Sequence, residues 1–171
     1  MKILKKRNFF LSLLLRGIYN KNYTQFDKIE IIDFTKKKND INHTIFEKQI
    51  IDSLNLIKQL KPIEYKRVLE YINSICYSKR INEDSYAINT KMYITNGLTQ
   101  WKDTQLMHIY YAGLLVYLST YACLVSKKSD YYMEDKLKIY DICIKIEKRF
   151  YKKVEKTYPE YKDLLINKFI D

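Results

Sequence analysis

The spacing of apolar residues along the chain predicts a mostly helical protein. Apolar side chains recur every three or four positions, the period of an amphipathic helix, in several segments. These are residues 3–19, 44–60, 62–75, 133–156 and 164–169. Pro62 separates two of them and can occupy the first turn of the later helix.

Two segments have the pattern of strands instead. Residues 28–34 are rich in β-branched side chains, and residues 85–95 alternate between apolar and polar on either side of a turn at Asn89 and Thr90. Both features are typical of short strands, and Asn96-Gly97 ends the second segment. One or two short strand pairs are expected.

Residues 106–125 carry no formal charge, and twenty such residues are long enough to span a bilayer. Four tyrosines lie within this segment, two of them in its middle, whereas a membrane helix concentrates tyrosine at its ends. This favours a buried central helix over a transmembrane one. The predicted fold class is therefore α+β and predominantly helical, with about five helices and the strand pairs around that central helix.

Composition and charge refine this picture. The 171 residues fit one domain, and only three Gly and two Pro argue against a turn-rich β fold. Of the net charge of +11, residues 1–38 contribute +7, from 10 basic and 3 acidic side chains. We therefore predict a basic N-terminal arm over residues 1–38 and a single mostly helical domain over residues 39–171.

Cysteines and the N-terminus bear on the compartment. The three cysteines, Cys76, Cys123 and Cys143, lie in apolar segments and indicate reduced core residues rather than a disulfide framework. The apolar run over residues 9–15 is short for a signal peptide, and no small-residue cleavage site follows it. A cytoplasmic or organellar-matrix protein is expected, and secretion is not.

The chain offers little that could support catalysis. Three scattered glycines cannot form a phosphate-binding loop, and two histidines with three separated cysteines do not make a zinc site. Acidic pairs such as Glu134-Asp135 are typical of helix starts, where a carboxylate stabilises the helix dipole. We expect no enzyme activity, no metal and no cofactor.

One stretch nevertheless resembles a known family. Residues 91–95, Trp101 and residues 111–122 resemble the strand-then-helix core of small zincin-like metallopeptidases, whose helix bears His-Glu-x-x-His. The resemblance covers about residues 68–153. The corresponding five residues here are Tyr117-Leu118-Ser119-Thr120-Tyr121, followed by the acidic residue Glu134 at the start of the next helix.

The resemblance implies a scaffold that has lost its chemistry. Tyr117 and Tyr121 replace both histidine ligands, and Leu118, which replaces the glutamate base, cannot activate a water molecule. Such a pseudoenzyme would hold no metal. The residues alone favour Tyr117 and Tyr121 as ordinary core residues four positions apart.

The basic arm allows three interpretations: a solvated surface, an RNA contact, or a helix on an anionic membrane surface. In the RNA interpretation, aromatic rings stack on bases while cations neutralise phosphates. The aromatic candidates are Phe9, Tyr19 and Tyr23. The polyanion-binding candidates are Lys2, Lys5, Lys6, Arg7, Arg16, Lys36, Lys37 and Lys38.

These observations favour a non-enzymatic binding function. The first hypothesis is a protein-binding or accessory subunit on a degenerate zincin-like scaffold, with an immunity-like or complex-assembly role. The second is an RNA-binding, ribosome-associated protein of an AT-rich bacterial or organellar genome, in line with the abundance of Lys, Asn, Ile and Tyr. The third is a membrane-associated subunit of a larger complex.

Overall fold

Six strands and four helices make up the part of the chain that the computed structural model describes, which is residues 2–4, 23–34, 41–81, 83–96, 106–127 and 133–162. The protein is α+β and predominantly helical, as predicted. In chain order the elements are β1 (Lys2–Leu4), β2 (Tyr23–Phe26), β3 (Ile29–Asp33), α1 (Ile41–Leu60), α2 (Pro62–Tyr71), β4 (Ser74–Tyr77), β5 (Ser85–Ala87), β6 (Met92–Thr95), α3 (Met107–Ser126) and α4 (Met133–Thr157).

The chain forms two compact units. The first comprises residues 1–52 and 69–107 and holds the whole sheet. The second comprises residues 53–68 and 108–171 and holds α4 and nearly all of α3.

The sheet of the first unit is mixed, with strand order β1-β5-β6-β4-β3-β2. The three central strands β6, β4 and β3 are parallel, and β2 and β5 run antiparallel to their neighbours β3 and β6. Parallel neighbours cannot be joined by a tight turn. The chain between β3 and β4 accordingly contains both α1 and α2.

Burial of both sheet faces explains why these segments form strands. On one face, Ile31, Ile75 and Tyr93 lie side by side in the strand register and are fully buried. At the next position along that face, the ring of Tyr77 lies 5.3 Å from the ring of Phe46 on α1. The opposite face carries a smaller apolar cluster formed by Ile32, Cys76 and Met92, with Phe34 and Ile94 against it.

Polar contacts fix the turns of this unit. The Asp84 carboxylate accepts hydrogen bonds from the Tyr93 hydroxyl and, at 3.2 Å, from the Asn96 backbone N–H. Lys91 adopts a left-handed conformation, with φ of 51°, before β6. Its ammonium group donates to the Glu70 carbonyl at 2.7 Å, which ties the turn to the end of α2.

The uncharged segment forms α3, the buried helix that the sequence predicts. It is the one described helix long and apolar enough to cross a membrane, and about two-thirds of its most apolar window is buried within the protein. Its buried residues lie all around the helix axis, as expected for a helix at the centre of a unit. The Ser53 hydroxyl donates to the His108 carbonyl at 2.7 Å near its start.

The contact between α3 and α4 is unusually close at Gly113. A Cβ atom on this residue would lie 2.1 Å from the Tyr151 hydroxyl oxygen and 2.3 Å from Cζ of the same ring. Tyr151 is itself 1% exposed, so its ring has little room to move. Further along the pair of helices, Tyr121 stacks on Tyr140 with ring centroids 5.5 Å apart.

The prediction of an N-terminal helix over residues 3–19 is wrong at its start. Lys2–Leu4 form β1, which pairs in parallel with β5, so that Ile3 lies opposite Tyr86. Pairing with a strand more than eighty residues away overrides the local helical period. Residues 5–19 of that predicted helix lie outside the described residues, as do residues 164–169 of the predicted closing helix.

The sheet is also larger than the sequence predicts. The helix predicted over residues 62–75 ends at Tyr71, and its last positions belong to β4. All four residues of β4 are buried, so the segment lacks the alternation that marks a strand with one exposed face. The one or two strands predicted over residues 85–95 are confirmed as β5 and β6. The short strand predicted over residues 28–34 is confirmed as β3.

We expect Gly113→Ala to lower the free energy of unfolding by about 1–3 kcal/mol, because the new methyl group overlaps the Tyr151 ring. Alanine in a helix interior otherwise stabilises by up to about 1 kcal/mol, so a loss reports the contact. Urea denaturation of the parent and the variant measures this difference in the free energy of unfolding. In a Tyr151→Leu background the cost of Gly113→Ala should shrink, and an unchanged cost would contradict this explanation.

Candidate functional site

The structure places few of the residues predicted for the basic arm. Lys2 lies in β1 and Tyr23 in β2, so both belong to strands of the sheet. Lys5, Lys6, Arg7, Phe9, Arg16, Tyr19, Lys36, Lys37 and Lys38 lie outside the described residues. A polyanion contact by the arm stays a prediction.

The residues of the degenerate motif lie on α3, with Glu134 in the first turn of α4. Leu118 is fully buried, Tyr121 is 3% exposed against Tyr140, and Tyr117 is half-buried. Tyr121 is thus an aromatic core residue of the second unit. Within the described ranges, no three His, Cys, Asp or Glu side chains lie close enough together to hold a metal ion.

Buried polar groups cluster where α4 packs on α3. The Tyr151 hydroxyl donates to the Glu147 carboxylate at 3.1 Å, one turn apart on α4. Burial raises the pKa of Glu147 above its usual value, although the hydrogen bond from Tyr151 opposes that effect. Burial, and then the Glu147 charge, raise the pKa of Tyr151 well above its usual value.

One turn before Glu147, the Cys143 thiol is fully buried. Burial and then the Glu147 carboxylate raise its pKa to about 12, and the Arg67 guanidinium only partly opposes them. Arg67 itself donates to the Thr120 hydroxyl of α3 at 3.0 Å. Because the thiolate is the nucleophilic form, Cys143 is chemically inert near neutral pH. It is a reduced core cysteine, as predicted, and Cys76 is buried likewise.

The outer side of α4 has the opposite character. Over residues 145–156 six residues on this side are basic, of which five are exposed and Lys148 is half-buried. We call this surface the basic face; it consists of Lys145, Lys148, Arg149, Lys152, Lys153 and Lys156. At 3.6 residues per turn these side chains fall within about 140° of the helix circumference. The buried residues Cys143, Phe150 and Val154 lie on the other side.

The basic face is long and uniform in sign. With a rise of about 1.5 Å per residue, it extends about 16 Å along the helix. Each member has at least two others three or four positions away, and like charges at that spacing destabilise an isolated helix by about 0.2–0.5 kcal/mol per pair. The acidic residues nearest to it, Asp141 and Glu155, lie one turn before it and at its edge. The like charges of the basic face therefore repel one another.

The helix dipole accounts for only part of this pattern. Cations in the last turn stabilise the negative end of a helix, which explains Lys153 and Lys156. Lys145, Lys148 and Arg149 lie two to three turns from the end of α4, beyond the range of that effect. The helix dipole therefore does not account for the alignment of these three side chains.

Sequence reasoning missed this surface because it counted charge along the chain. Residues 133–156 were expected to form a charged amphipathic helix, and this prediction is confirmed. Along the chain, the basic charges of this segment are balanced in part by Glu134, Asp135 and Glu147. Plotting the positions around the helix would have separated the basic face from Glu147, which lies among the buried positions. The local excess on the arm, by contrast, is visible in a simple count.

Comparison of the chain with protein-family models, with characterised proteins and with solved structures finds no match.

The Glu147 environment gives a stability prediction with a definite sign. Between the usual carboxyl pKa of 4.5 and the raised value in the folded chain, the folded state holds a proton that the unfolded chain has lost. Stability therefore falls as pH rises through that window. We expect Glu147→Gln, which keeps an acceptor for Tyr151 without a charge, to raise the melting temperature above that of the parent at pH 8.

The difference between parent and variant should vanish below the usual carboxyl pKa, where both states of the parent are protonated. Thermal melts followed by circular dichroism from pH 4 to pH 8 measure it. Glu155→Gln makes the same charge change two turns along α4 and is the control. A Glu147→Gln variant that is less stable than the parent at pH 8 would contradict the assignment.

Proposed function

We propose that this chain is a non-enzymatic accessory protein that binds nucleic acid through the basic face of α4. The single observation that carries the proposal is the alignment of six basic side chains, without an acidic one among them, on the solvent side of one helix. Neutralising phosphates with such side chains releases condensed counterions, which drives binding without any sequence preference.

The dimensions of the surface agree with this partner. Phosphates of one duplex strand follow each other every 3.4 Å along the axis, so a 16 Å face passes about five of them. Successive turns of α4 present a cation every 4.5 to 6 Å, at Lys145, Arg149, Lys152 and Lys156, by the helical rise. Long lysine side chains can adjust to the remaining mismatch.

The inner side of the same helix supports a binding role rather than catalysis. Cys143 is protonated near neutral pH, and the Glu147 carboxylate is engaged by Tyr151. Neither group forms the pair of nucleophile and exposed base that covalent catalysis requires. The polar cluster instead stabilises the packing of α4 on α3.

The proposal predicts a charge-specific loss of binding in the triple variant Lys145→Gln, Arg149→Gln and Lys152→Gln. Removing three phosphate contacts should flatten the plot of log affinity against log salt by about 2–3 units. Fluorescence anisotropy with a labelled 25-nucleotide RNA and its duplex, at 50 to 200 mM salt, measures this slope.

A matched control makes the same charge change elsewhere. Lys48, Lys66 and Arg80 are exposed and lie on α1, on α2 and in the turn after β4. Their replacement by Gln should leave the slope unchanged within about one unit. Equal losses in both triple variants, or binding that does not depend on salt, would refute a role for the basic face.

A protein partner is the second candidate, and one observation favours it. Leu137 and Ile144 are 70% and 43% exposed, and their spacing of seven residues puts them on the same side of α4, beside the basic face. An apolar strip bordered by cations suits a protein surface with apolar and acidic side chains. It would serve the immunity-like or complex-assembly role on a degenerate zincin-like scaffold.

The two candidates respond differently to removal of that strip. The double variant Leu137→Ser and Ile144→Ser should no longer capture a protein partner from nuclease-treated extract in 500 mM salt. Its affinity for RNA should be unchanged. Ile63→Ser, at a residue 72% exposed on α2, is the control. Loss of RNA affinity in the Leu137 and Ile144 variant would argue against a separate protein site.

A further inference from the structure

We infer that the nucleic acid bound by the basic face is a duplex, held by its phosphates without recognition of its bases. This inference rests on the proposed function and narrows it. Three features of α4 carry it: where its aromatic rings lie, which polar side chains its outer side presents, and how rigidly its cations are spaced.

The aromatic rings of α4 lie on its inner side. Phe150 and Tyr151 are each 1% exposed, and Tyr140 stacks on Tyr121 with ring planes 18° apart. Over residues 135–157, where side chains are described, no aromatic residue belongs to the basic face. Proteins that hold single strands gain about 1–3 kcal/mol per base from stacking on such rings. The basic face lacks this means of favouring an unpaired strand.

The outer side of α4 is equally poor in groups that read base edges. Bidentate recognition of adenine uses Asn or Gln, and α4 contains neither. Arg149 is the one arginine on the helix, and the other five members of the basic face are lysines, which act as point charges. Contacts of this kind position a protein on the phosphate backbone and carry no sequence information.

The spacing of the cations favours a stiff partner. The basic face lies on a continuous helix of 25 residues whose inner side is fixed by buried contacts such as Tyr151 on Gly113. A duplex has a persistence length of about 50 nm and presents phosphates at a fixed spacing. It also carries one charge per about 1.7 Å of axis, a higher linear charge density than a single strand. A flexible strand must instead be ordered along the helix at an entropic cost.

The experiment compares a 25-base-pair duplex with each of its separated strands, chosen not to fold on themselves, and with a duplex of scrambled sequence. RNA and DNA versions of each are used. With the full chain at 100 mM salt, we expect the duplexes to bind at least about tenfold more tightly than the strands, and the scrambled duplex to bind within about twofold of the original.

The triple variant of Lys145, Arg149 and Lys152 should lose the preference for duplex and show the flattened salt dependence. The Lys48, Lys66 and Arg80 control should keep both the preference and the original salt dependence. Strands that bind as tightly as duplexes, with the same loss in the triple variant, would overturn this inference and leave the proposed function standing. Binding that both triple variants lose equally, or no binding to any of these probes, would overturn the proposed function itself. A scrambled duplex that binds more than about tenfold more weakly would show base recognition and overturn the inference alone.

Discussion

The placement of the Tyr151 ring over Gly113 is the constraint on which the second unit depends. The distances from a Cβ at Gly113 to this ring leave no space for any side chain there, so α3 and α4 can approach this closely only with glycine at that position. The hydroxyl of the same ring donates a hydrogen bond to Glu147, and Tyr121 stacks on Tyr140 further along the two helices. These contacts fix the rotation of α4 about its own axis, and a helix fixed in rotation has only one side that can face water.

The charge pattern follows from that rotation. A turn of about 100° would carry lysines of the basic face into the interior, where an unpaired cation costs several kcal/mol. Glu147, by contrast, lies on the inner side and remains acceptable there because burial shifts its equilibrium towards the neutral form. The separation of charge between the two sides of α4 is therefore an outcome of packing as much as of composition, and it is what gives the surface a single sign.

The sequence predicted those elements whose local pattern agrees with their tertiary surroundings. Helices α1, α3 and α4 each bury residues at helical spacing, and β5 and β6 flank a turn that their alternation reveals. It failed at β2, for which no strand was predicted, and at β1 and β4. The predicted helices each extended two residues into β1 and β4, where pairing with distant strands outweighs the local helical spacing.

The candidate site was harder to predict than the fold. The buried role of Cys143 could be inferred from its apolar neighbours, whereas the inward position of Glu147 depends on the rotation of α4, which no local pattern reports. When charges are counted along the chain without regard to the rotation of α4, Glu147 cancels one cation of the basic face. The charge that a helix presents to solvent can thus be predicted only when the packing of its other side is known.

The pairing of β1 with β5 has a consequence for biosynthesis. Lys2 is translated 83 positions before its partner Ser85. At about 5–20 residues per second, β1 waits roughly 4 to 17 s before the strand it pairs with has been made. During that interval its backbone hydrogen-bonding groups have no β5 to pair with, so the sheet cannot form on this side before β5 has been made. β1 is thus the first of the described strands to be translated, but it can pair only after β2, β3 and β4 have all been made.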